Sequence, residues 1–281
     1  MANDFSSSLV VDTATSKVIT ILQNRLAPFR AFSTDFSDEL IDPLKTVQVG
    51  LATDAGSVTT NPTNFETGDT TLTNAPISMV HYSKPFGLTS KELNQGFRLE
   101  KLININLHKL ADALIDVALT PVTTTNFGNA VVTTDASFTT TGMQTLFGAL
   151  KNGTSRALVL DGALYAKLLP STKENWMLGE KGAYGWDGGI FMNNRWSGAV
   201  ANCKGMAVSP EAIGLAACLP IVDAAVARQM LVHSTIQIPD LNIFVQFNVW
   251  GSLASRSLRA SFDLCFGAAK ADGSAAKLVI Y

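Results

Sequence analysis

The chain has 281 residues, of which 47% are hydrophobic and only 16% are charged. This length can bury a full core and form one large or two modest domains. The net charge of −2 and a pI near 5.9 argue against a surface that grips nucleic acid, since such a surface needs clustered positive charge. No N-terminal segment resembles a secretory signal, and no run approaches the roughly 18 apolar residues of a membrane span.

The low charge has two possible explanations. Ordinary domains carry about 25% charged residues. Repeated self-contact would favour a lower value, because the cores of interfaces are depleted in Lys, Glu and Asp. A larger buried fraction would explain it equally well. The three cysteines, Cys203, Cys218 and Cys265, are odd in number and far apart, which predicts reduced, buried thiols.

Residues 1–44 are predicted to form an N-terminal arm. Within it, residues 14–26 place Val18, Ile19, Leu22 and Leu26 at helical spacing. Residues 27–30 break this helix, and an extended segment runs on to Pro43. Such an arm has little core of its own, so we expect it to pack against the body of the protein or against a neighbour.

Residues 45–88 are predicted to form an extended β-hairpin. Residues 45–51 and 77–86 have the pattern of strands. The polar, Thr-rich stretch between them contains only two large apolar residues, Phe65 and Leu72. Unstructured loops longer than about 15 residues are uncommon in compact domains unless they are functional. We expect a hairpin that lies on a partner, and the alternative is a disordered surface loop.

Residues 88–121 are predicted to form one long helix. Thr89 and Glu92 have the spacing of a capping box, Gly96 is a candidate kink, and Pro121 ends the helix. The apolar stripe has steps of three and four residues, and a polar row on the opposite side has steps of four. The stripe consists of Leu99, Leu102, Ile103, Leu107, Leu110, Leu114 and Val117, and the polar row of Glu100, Asn104, His108, Asp112 and Asp116.

A second unit of helices and strands is predicted over residues 139–239, after a Thr/Asn-rich connector. We expect an amphipathic helix that contains Met143 and Leu150, a buried strand at 156–160 and a short helix at 162–169. Residues 171–189 form a loop with Trp176, Tyr184 and Trp186. The sequence Ser-Pro-Glu at 209–211 predicts the start of a helix that runs to Pro220.

The C-terminal part is predicted to be strands at 243–250, 257–266 and 277–280. In the second strand, Leu258 to Phe266 alternate apolar with polar residues, which predicts one buried face and one solvent-facing face. We expect these strands to pack under the long helix. The first unit would then be discontinuous in sequence and consist of residues 89–138 and 240–281. The predicted fold class of the chain is α+β.

The residues offer little catalytic chemistry. His81, His108 and His233 have no second ligand at metal spacing, and no nucleophile elbow, phosphate loop or dinucleotide fingerprint is present. His108 is expected to form a solvated pair with Asp112. The tryptophans could stack a ligand, but they are more often core or interface anchors. We therefore predict no catalytic, cofactor-binding or metal-binding residue, and no enzymatic activity.

The order of these parts resembles the major capsid protein of tailed bacteriophages, the Hong Kong 97-type fold that encapsulins also use. Three segments carry the resemblance. FGLTSKEL at residues 86–93 leads from the hairpin into the spine helix. ALVLDGALYAKL at 157–168 resembles the strand-turn-helix of the family's axial domain. MAVSPEAIGLA at 206–216 resembles its later strand-helix step.

The resemblance implies an arm, an extended loop at 45–88, a peripheral domain at 89–138 and 240–281 with the spine helix, and an axial domain at 139–239. It implies self-assembly into pentamers and hexamers of an icosahedral head around double-stranded DNA, without sequence-specific binding. The implied partners are a scaffolding protein, supplied separately or as a cleaved precursor segment, a portal protein and a decoration protein. No membrane is implied. The protein would belong to the virion and assemble in the host cytoplasm.

Candidate assembly residues lie in the arm, the loop and the axial domain. They are Phe29, Arg30, Leu51, Phe65, Leu72, Lys84, Trp176 and Trp186. Some family members cross-link a loop lysine to a neighbour's asparagine. Lys84 is the only lysine between Lys45 and the helix, and no buried acid is identifiable beside it, so no cross-link is expected.

Two alternatives differ in class. An encapsulin-like cellular compartment would use the same fold and would need a cargo-peptide pocket on its inner face. A two-domain α/β enzyme could hold Trp176 to Trp196 in a cleft, although acid/base and cofactor motifs are missing. The sequence does not indicate the triangulation number, the host or the presence of decoration proteins.

Overall fold

The structure is a computed structural model, and it describes most of the chain. The described residues are 8–40, 46–52, 72–89, 96–128, 131–132, 138, 140–150, 155–168, 185–196, 202–252 and 257–280. Everything below refers to these residues.

The arm begins with a helix longer than the sequence predicted. Helix α1 is Ser8–Arg25, and a 3-10 turn at Ala27–Ala31 follows it. Its inner face, which repeats at steps of four residues, is fully buried against the body of the same chain: Val10, Ala14, Val18, Leu22 and Leu26. Strand β1, Ser33–Leu40, then pairs in parallel with a strand of the main sheet. The described part of the arm therefore packs against its own body.

The long helix is confirmed over its described length. Helix α2 is Gly96–Ala118, which spans about 34 Å at 1.5 Å per residue. Its apolar stripe is buried or half-buried, and the predicted start at residues 90–95 lies outside the described residues. Helix α2 packs against α1, and Glu100, Asp112 and Asp116 of its polar row form ion pairs with other parts of the chain. Glu100 pairs with Lys17, and Asp112 accepts from Arg25 at 2.5 Å.

The largest of the sheets has six strands and contributes to the main core. Its order is β1–β9–β12–β11–β10, and β4 pairs with the other edge of β12. These strands are β4 Val80–Leu88, β9 Ile213–Leu219, β10 Val232–Ile238, β11 Ile243–Ser252 and β12 Ser257–Lys270. β12 is central, because β4 pairs along one edge of it while β11 and β9 pair along successive parts of the other.

One face of this sheet forms the main core with α1 and α2. Phe262 of β12 stacks between Phe86 of β4 and Phe247 of β11, with ring centroids 5.6 and 5.0 Å apart. Phe29 from the 3-10 turn stacks on Phe266 at 5.5 Å. Offset aromatic pairs at these distances add to the burial energy of each ring.

A five-stranded sheet forms the second unit, with the order β5–β13–β8–β6–β7. Its strands are β5 Val131–Val132, β6 Ala157–Leu160, β7 Gly189–Met192, β8 Cys203–Val208 and β13 Ala276–Ile280. Helices α4, Thr140–Ala149, and α5, Gly162–Leu168, contribute to the apolar cluster on one face, around Trp186. The other face joins the main core through Val159 and Met206. Short helices α3, Thr124–Phe127, and α6, Ala224–Ala227, lie in connections.

The helix predicted over residues 209–220 is wrong. Only Pro210–Ala212 form a 3-10 turn, and Ile213–Leu219 form strand β9, in which all seven residues are buried. Ser209 makes no side-chain cap. A short continuous apolar run fits either a buried helix or a strand covered on both faces, and periodicity alone cannot separate them. Here β9 pairs with β1 and β12 along its two edges. Both of its faces are also covered, because Ile213, Leu215 and Ala217 lie in the main core while Ala216 and Cys218 lie in a second apolar cluster on the other face.

The predicted solvent-facing side of β12 is also wrong over its middle. Ser261, Asp263 and Cys265 are all under 7% exposed, because other parts of the chain cover this face. The last strand, β13, joins the five-stranded sheet instead of packing under α2. The domain division at residues 139–239 stays a prediction. The six-stranded sheet takes β9 and β10 from inside those bounds, and the five-stranded sheet takes β13 from outside them.

The first prediction concerns the core position of Phe29. Replacing Phe29 with Ala should lower the free energy of unfolding by about 3–5 kcal/mol, because a ring that is 1% exposed leaves a cavity beside Phe266. Urea unfolding of the unassembled subunit measures this. The control, Ile105→Ala, should cost under about 0.5 kcal/mol, because Ile105 is 62% exposed. Equal effects would mean that Phe29 does not belong to the core.

Candidate functional site

The predicted assembly residues fall into three groups in the structure. Phe29 and Trp186 are 1% and 0% exposed and pack inside their own chain, so neither can contact a neighbour in this conformation. Trp186 packs edge-on against Phe147, with centroids 5.3 Å apart. Both are large aromatic residues, and such residues are common in protein cores as well as in interfaces.

The other predicted residues lie at the surface, in the hairpin or outside the described residues. Arg30 forms an ion pair with Asp240 at 2.6 Å and keeps 41% of its side chain exposed. Lys84 lies in β4 opposite Phe262. Leu51 and Leu72 belong to the hairpin ladder. Phe65 and Trp176 lie outside the described residues.

The hairpin is a separate two-stranded sheet. Strands β2, Thr46–Ala52, and β3, Leu72–Ser78, pair antiparallel from Thr46 opposite Ser78 to Ala52 opposite Leu72. Seven pairs span about 23 Å at 3.3 Å per residue. An isolated two-stranded ladder is marginally stable in water, so the hairpin needs support from elsewhere.

The base of the hairpin rests on the face of the main sheet that points away from α2. Ile77 and Met79 are buried there against Ala216 and the paired thiols Cys218 and Cys265. The backbone of β3 comes so close to β12 that only glycine fits. A Cβ at Gly267 would lie 2.4 Å from the carbonyl oxygen of Ser78 and 2.7 Å from Ile77 Cγ2. This contact sets the position at which the hairpin leaves the body.

The rest of that sheet face borders a cavity of about 380 Å³. Its floor is polar: Gln246 and Asn248 from β11, Ser261 and Asp263 from β12, and His81 and Ser83 from β4. Its walls are mainly apolar and come from residues 220–230 and Trp250. Strand register explains the floor, because Gln246 lies opposite Asp263, and Asn248 opposite Ser261.

The sequence analysis missed this cavity because it assigned the polar side of β12 to solvent. The signal that could have revealed the cavity is the antiparallel pairing of β11 with β12. Gln246 and Asn248 alternate with apolar residues, as Ser261 and Asp263 do, so a correct register would have placed the four polar side chains together.

Large apolar side chains that are at least half exposed are few, and three of them lie close in sequence. Ile221, Val226 and Leu231 are 50–55% exposed, on or beside the segment that covers the cavity. Val80, Ile105 and Met192 are exposed elsewhere. A cluster of this kind marks a candidate contact surface.

Ion pairs connect the spine helix to the second unit. Arg195 binds Asp116 through two bonds, at 2.9 Å from Nε and 2.5 Å from Nη2, and its Nη1 lies 3.4 Å from Asp112. The predicted partner of Asp112, His108, is exposed, and Asp112 pairs with the two arginines instead. These pairs are largely exposed, so each contributes at most about 1 kcal/mol.

The described part of the chain contains no group of three His, Cys, Asp or Glu side chains placed to hold a metal ion. Among the same residues, no helix has the length and apolar character needed to cross a bilayer.

Comparison with solved structures gives consistent matches across nearly the whole chain. A virus-like particle from Pyrococcus furiosus matches with a TM-score of 0.55 at 13% identity, over 95% of this chain and 98% of that one. The capsid of a native GTA particle matches at 0.54 and 12%, over 92% and 90%. The structure of Mycobacterium phage Cain matches at 0.51 and 14%, over 92% and 89%.

These structures share one architecture, which decides the fold. This chain has the Hong Kong 97-type fold, within the α+β class. No protein-family model matches the sequence, and no curated protein matches it. In the Hong Kong 97-type fold of this chain, α2 is the spine helix and β2–β3 is the described part of the extended loop.

The second prediction concerns the seat of the hairpin. Gly267→Ala should cost about 1–3 kcal/mol of stability and displace β3, because the new methyl group would collide with backbone. The matched control is Gly251→Ala in β11, where nothing lies within 4 Å of the added Cβ. Hydrogen exchange of the amides of β3 would report the displacement. Unchanged exchange at Gly267→Ala would show that the close contact does not hold the hairpin.

The third prediction concerns the buried thiols. The hydrogen bond with Cys218 and burial raise the pKa of Cys265, and burial raises the pKa of Cys203. A raised pKa leaves less thiolate at a given pH, and the thiolate is the reactive form. At pH 8 a disulfide reagent should therefore modify none of the three cysteines quickly in the folded subunit and all three in urea. Rapid reaction of folded Cys265 would contradict its buried position.

Proposed function

We propose that this chain is the major capsid protein of a tailed bacteriophage, a structural subunit and not an enzyme. In this proposal it assembles into pentamers and hexamers of an icosahedral head that encloses double-stranded DNA. The observation that carries the proposal is the shared fold, which extends over more than nine-tenths of the chain. This chain also has a separate two-stranded hairpin, and its described residues are buried on the body at the base.

The hairpin supplies the physical reason for assembly. Among the described side chains, the hairpin is buried against the body at its base, through Ile77 and Met79. The 19 residues between Ala52 and Leu72 are polar and contain Phe65 as the one large aromatic residue. Contact with a neighbouring copy would bury surface that a single subunit leaves in water, so assembly would stabilise the folded subunit by mass action. Head-to-tail contacts that close by rotation produce rings, and joined rings produce a shell.

The proposed role of each segment follows from the resemblance to the capsid family. Residues 1–44 form the arm, 45–88 the extended loop, 89–138 and 240–281 the peripheral domain, and 139–239 the axial domain. Arg30, Leu51, Phe65, Leu72, Lys84 and Trp176 remain proposed contact residues. A scaffolding protein, a portal protein and a decoration protein are the proposed partners, with assembly in the host cytoplasm. The net charge of −2 suits a shell that packs DNA without gripping it.

A cellular protein compartment of the encapsulin type is the second candidate. It is favoured by the similarity to a virus-like particle from Pyrococcus furiosus. Sedimentation and negative-stain microscopy separate the candidates when the protein is expressed alone and with its neighbouring reading frames. Shells with a portal and DNA support the phage head, and shells loaded with one host enzyme support the compartment. A stable monomer under all conditions would contradict both.

The fourth prediction tests the hairpin as the assembly element. Residues 53–71 can be replaced by Asn-Gly, because a two-residue turn fits the register of Ala52 opposite Leu72. The ladder then stays closed, and the free energy of unfolding of the monomer should change by less than about 1 kcal/mol. Particles should be lost or reduced at least tenfold in sedimentation.

A second variant serves as the control for chain length. It carries a Gly/Ser segment of 19 residues in the same place, which keeps the reach of the loop but removes its side chains. Loss of particles in both variants would support contacts made by the loop's own residues. Normal particles from the Asn-Gly variant would show that the loop is dispensable and would overturn its proposed role.

A further inference from the structure

The cavity on the outer face of the six-stranded sheet has a buried carboxylate at its floor. Asp263 is 6% exposed. Its Oδ2 accepts hydrogen bonds from Asn248 Nδ2 at 2.8 Å and from the hydroxyl of Ser261. Its Oδ1 has only His81 Nε2 nearby, at 3.5 Å, which is beyond a good hydrogen bond. A buried carboxylate is costly unless a cation or several donors compensate it.

A second acceptor in the same floor has no partner. Gln246 is 3% exposed, and its Nε2 donates to the carbonyl oxygen of Pro220 at 3.1 Å. Its Oε1 is buried and has no hydrogen-bond partner among the described residues. Asn248 Oδ1, by contrast, is engaged with His233 Nδ1 at 2.6 Å. The floor therefore has two acceptors without a close donor, one of them on a charged group.

The walls suit a different chemistry. Ile221 and Val226 form part of the covering segment, Met230 lies on the same side, and Trp250 contributes an aromatic ring. Aliphatic side chains shield a hydrocarbon stem, and an indole ring attracts a cation placed over its face. The volume of about 380 Å³ is within the usual range for small-ligand sites.

We propose that this cavity binds a cationic group on an aliphatic stem, an ammonium or a guanidinium. The cation would donate to Asp263 Oδ1 and, after a small rotation of the amide, to Gln246 Oε1. The stem would lie against Ile221 and Val226. This site does not depend on the proposed capsid function, because it consists of residues of one chain.

Among the described residues, two cationic side chains lie close to the cavity floor. His81, with 44% of its side chain exposed, stands at the rim and reaches Asp263 only at 3.5 Å. Arg259 lies on the same strand face but extends over Gly87, where Nη1 is 3.7 Å from the position of an added Cβ. His81 lines the cavity from β4, whereas Arg259 is not one of its lining residues.

The ligand has two possible sources, a free alkylamine or a Lys or Arg side chain of another copy of this chain. Calorimetric titration of the unassembled subunit with 1,4-diaminobutane and butylguanidinium tests the chemistry, with 1-butanol as the uncharged comparison. Both cations should bind at least tenfold more tightly than the alcohol. Failure of both cations to bind better than the alcohol would count against a free ligand.

Variants separate the proposed site from general surface charge. Asp263→Asn should weaken cation binding at least tenfold, and Ile221→Ser, at a position that is 55% exposed, should weaken it several-fold without loss of folding. The matched control, Asp12→Asn, removes an exposed carboxylate of α1 on the opposite side of the sheet and should change nothing. His81→Ala should bind at least as tightly, because Oδ1 is freed. Equal weakening by Asp12→Asn would overturn the site.

A cross-linking experiment distinguishes the two sources. Particles assembled from a mixture of isotopically light and heavy subunits are treated with a carbodiimide, and mass spectrometry searches for links between Asp263 and a lysine of another copy. Such links support a side chain as the ligand, and binding of free amines without them supports a small cation. Absence of both binding and links overturns the proposal. Failure of assembly would contradict only the capsid function, because the titration uses unassembled subunits.

Discussion

Strand β12 is the element on which the rest of the structure depends, because it is paired along both edges and covered on both faces. Its apolar side chains, Phe262 and Phe266 among them, hold α1, α2 and the 3-10 turn of the arm. The opposite face of β12 has two parts, which differ in the size of their side chains. At Gly267 the absence of a side chain lets the hairpin backbone come within contact distance, and at Asp263 a polar side chain borders an open cavity. One strand thus determines the core, the direction of the hairpin and the position of the cavity.

This arrangement explains how a rigid body can present a weakly supported hairpin. The base of the hairpin is buried among Ile77, Met79 and the thiols of Cys218 and Cys265, whereas the ladder beyond it has no third strand among the described residues. Beyond that base, a two-stranded ladder on its own is only marginally stable, so it gains from any further contact. The low charge content of the sequence, 16% of its residues, is compatible with extensive contact, because the cores of interfaces are depleted in charged residues. Both features favour a subunit whose stability depends on its neighbours.

Much of the fold could be predicted where periodicity decides between helix and strand. The apolar stripe of α2 fits only the helical period, and the alternation in β11 fits only the strand period. Both elements are present as expected. Periodicity failed at β9, whose seven apolar residues are compatible with a buried strand or a helix, and the start signal Ser-Pro-Glu produced a 3-10 turn only. It also failed at the cavity, because Asp263 has the same polar pattern whether its face is covered or open. Coverage is a tertiary property, and no local pattern encodes it.

The structural matches share the fold of this chain but few of its side chains. Chains at 12–14% identity share the Hong Kong 97-type fold with this one, so alternation and volume are enough to specify the architecture while most side chains differ. Function has to be argued from surfaces that belong to this chain. Two such surfaces lie on the same sheet face, the seat of the hairpin at Gly267 and the acidic cavity at Asp263, only four residues apart on β12.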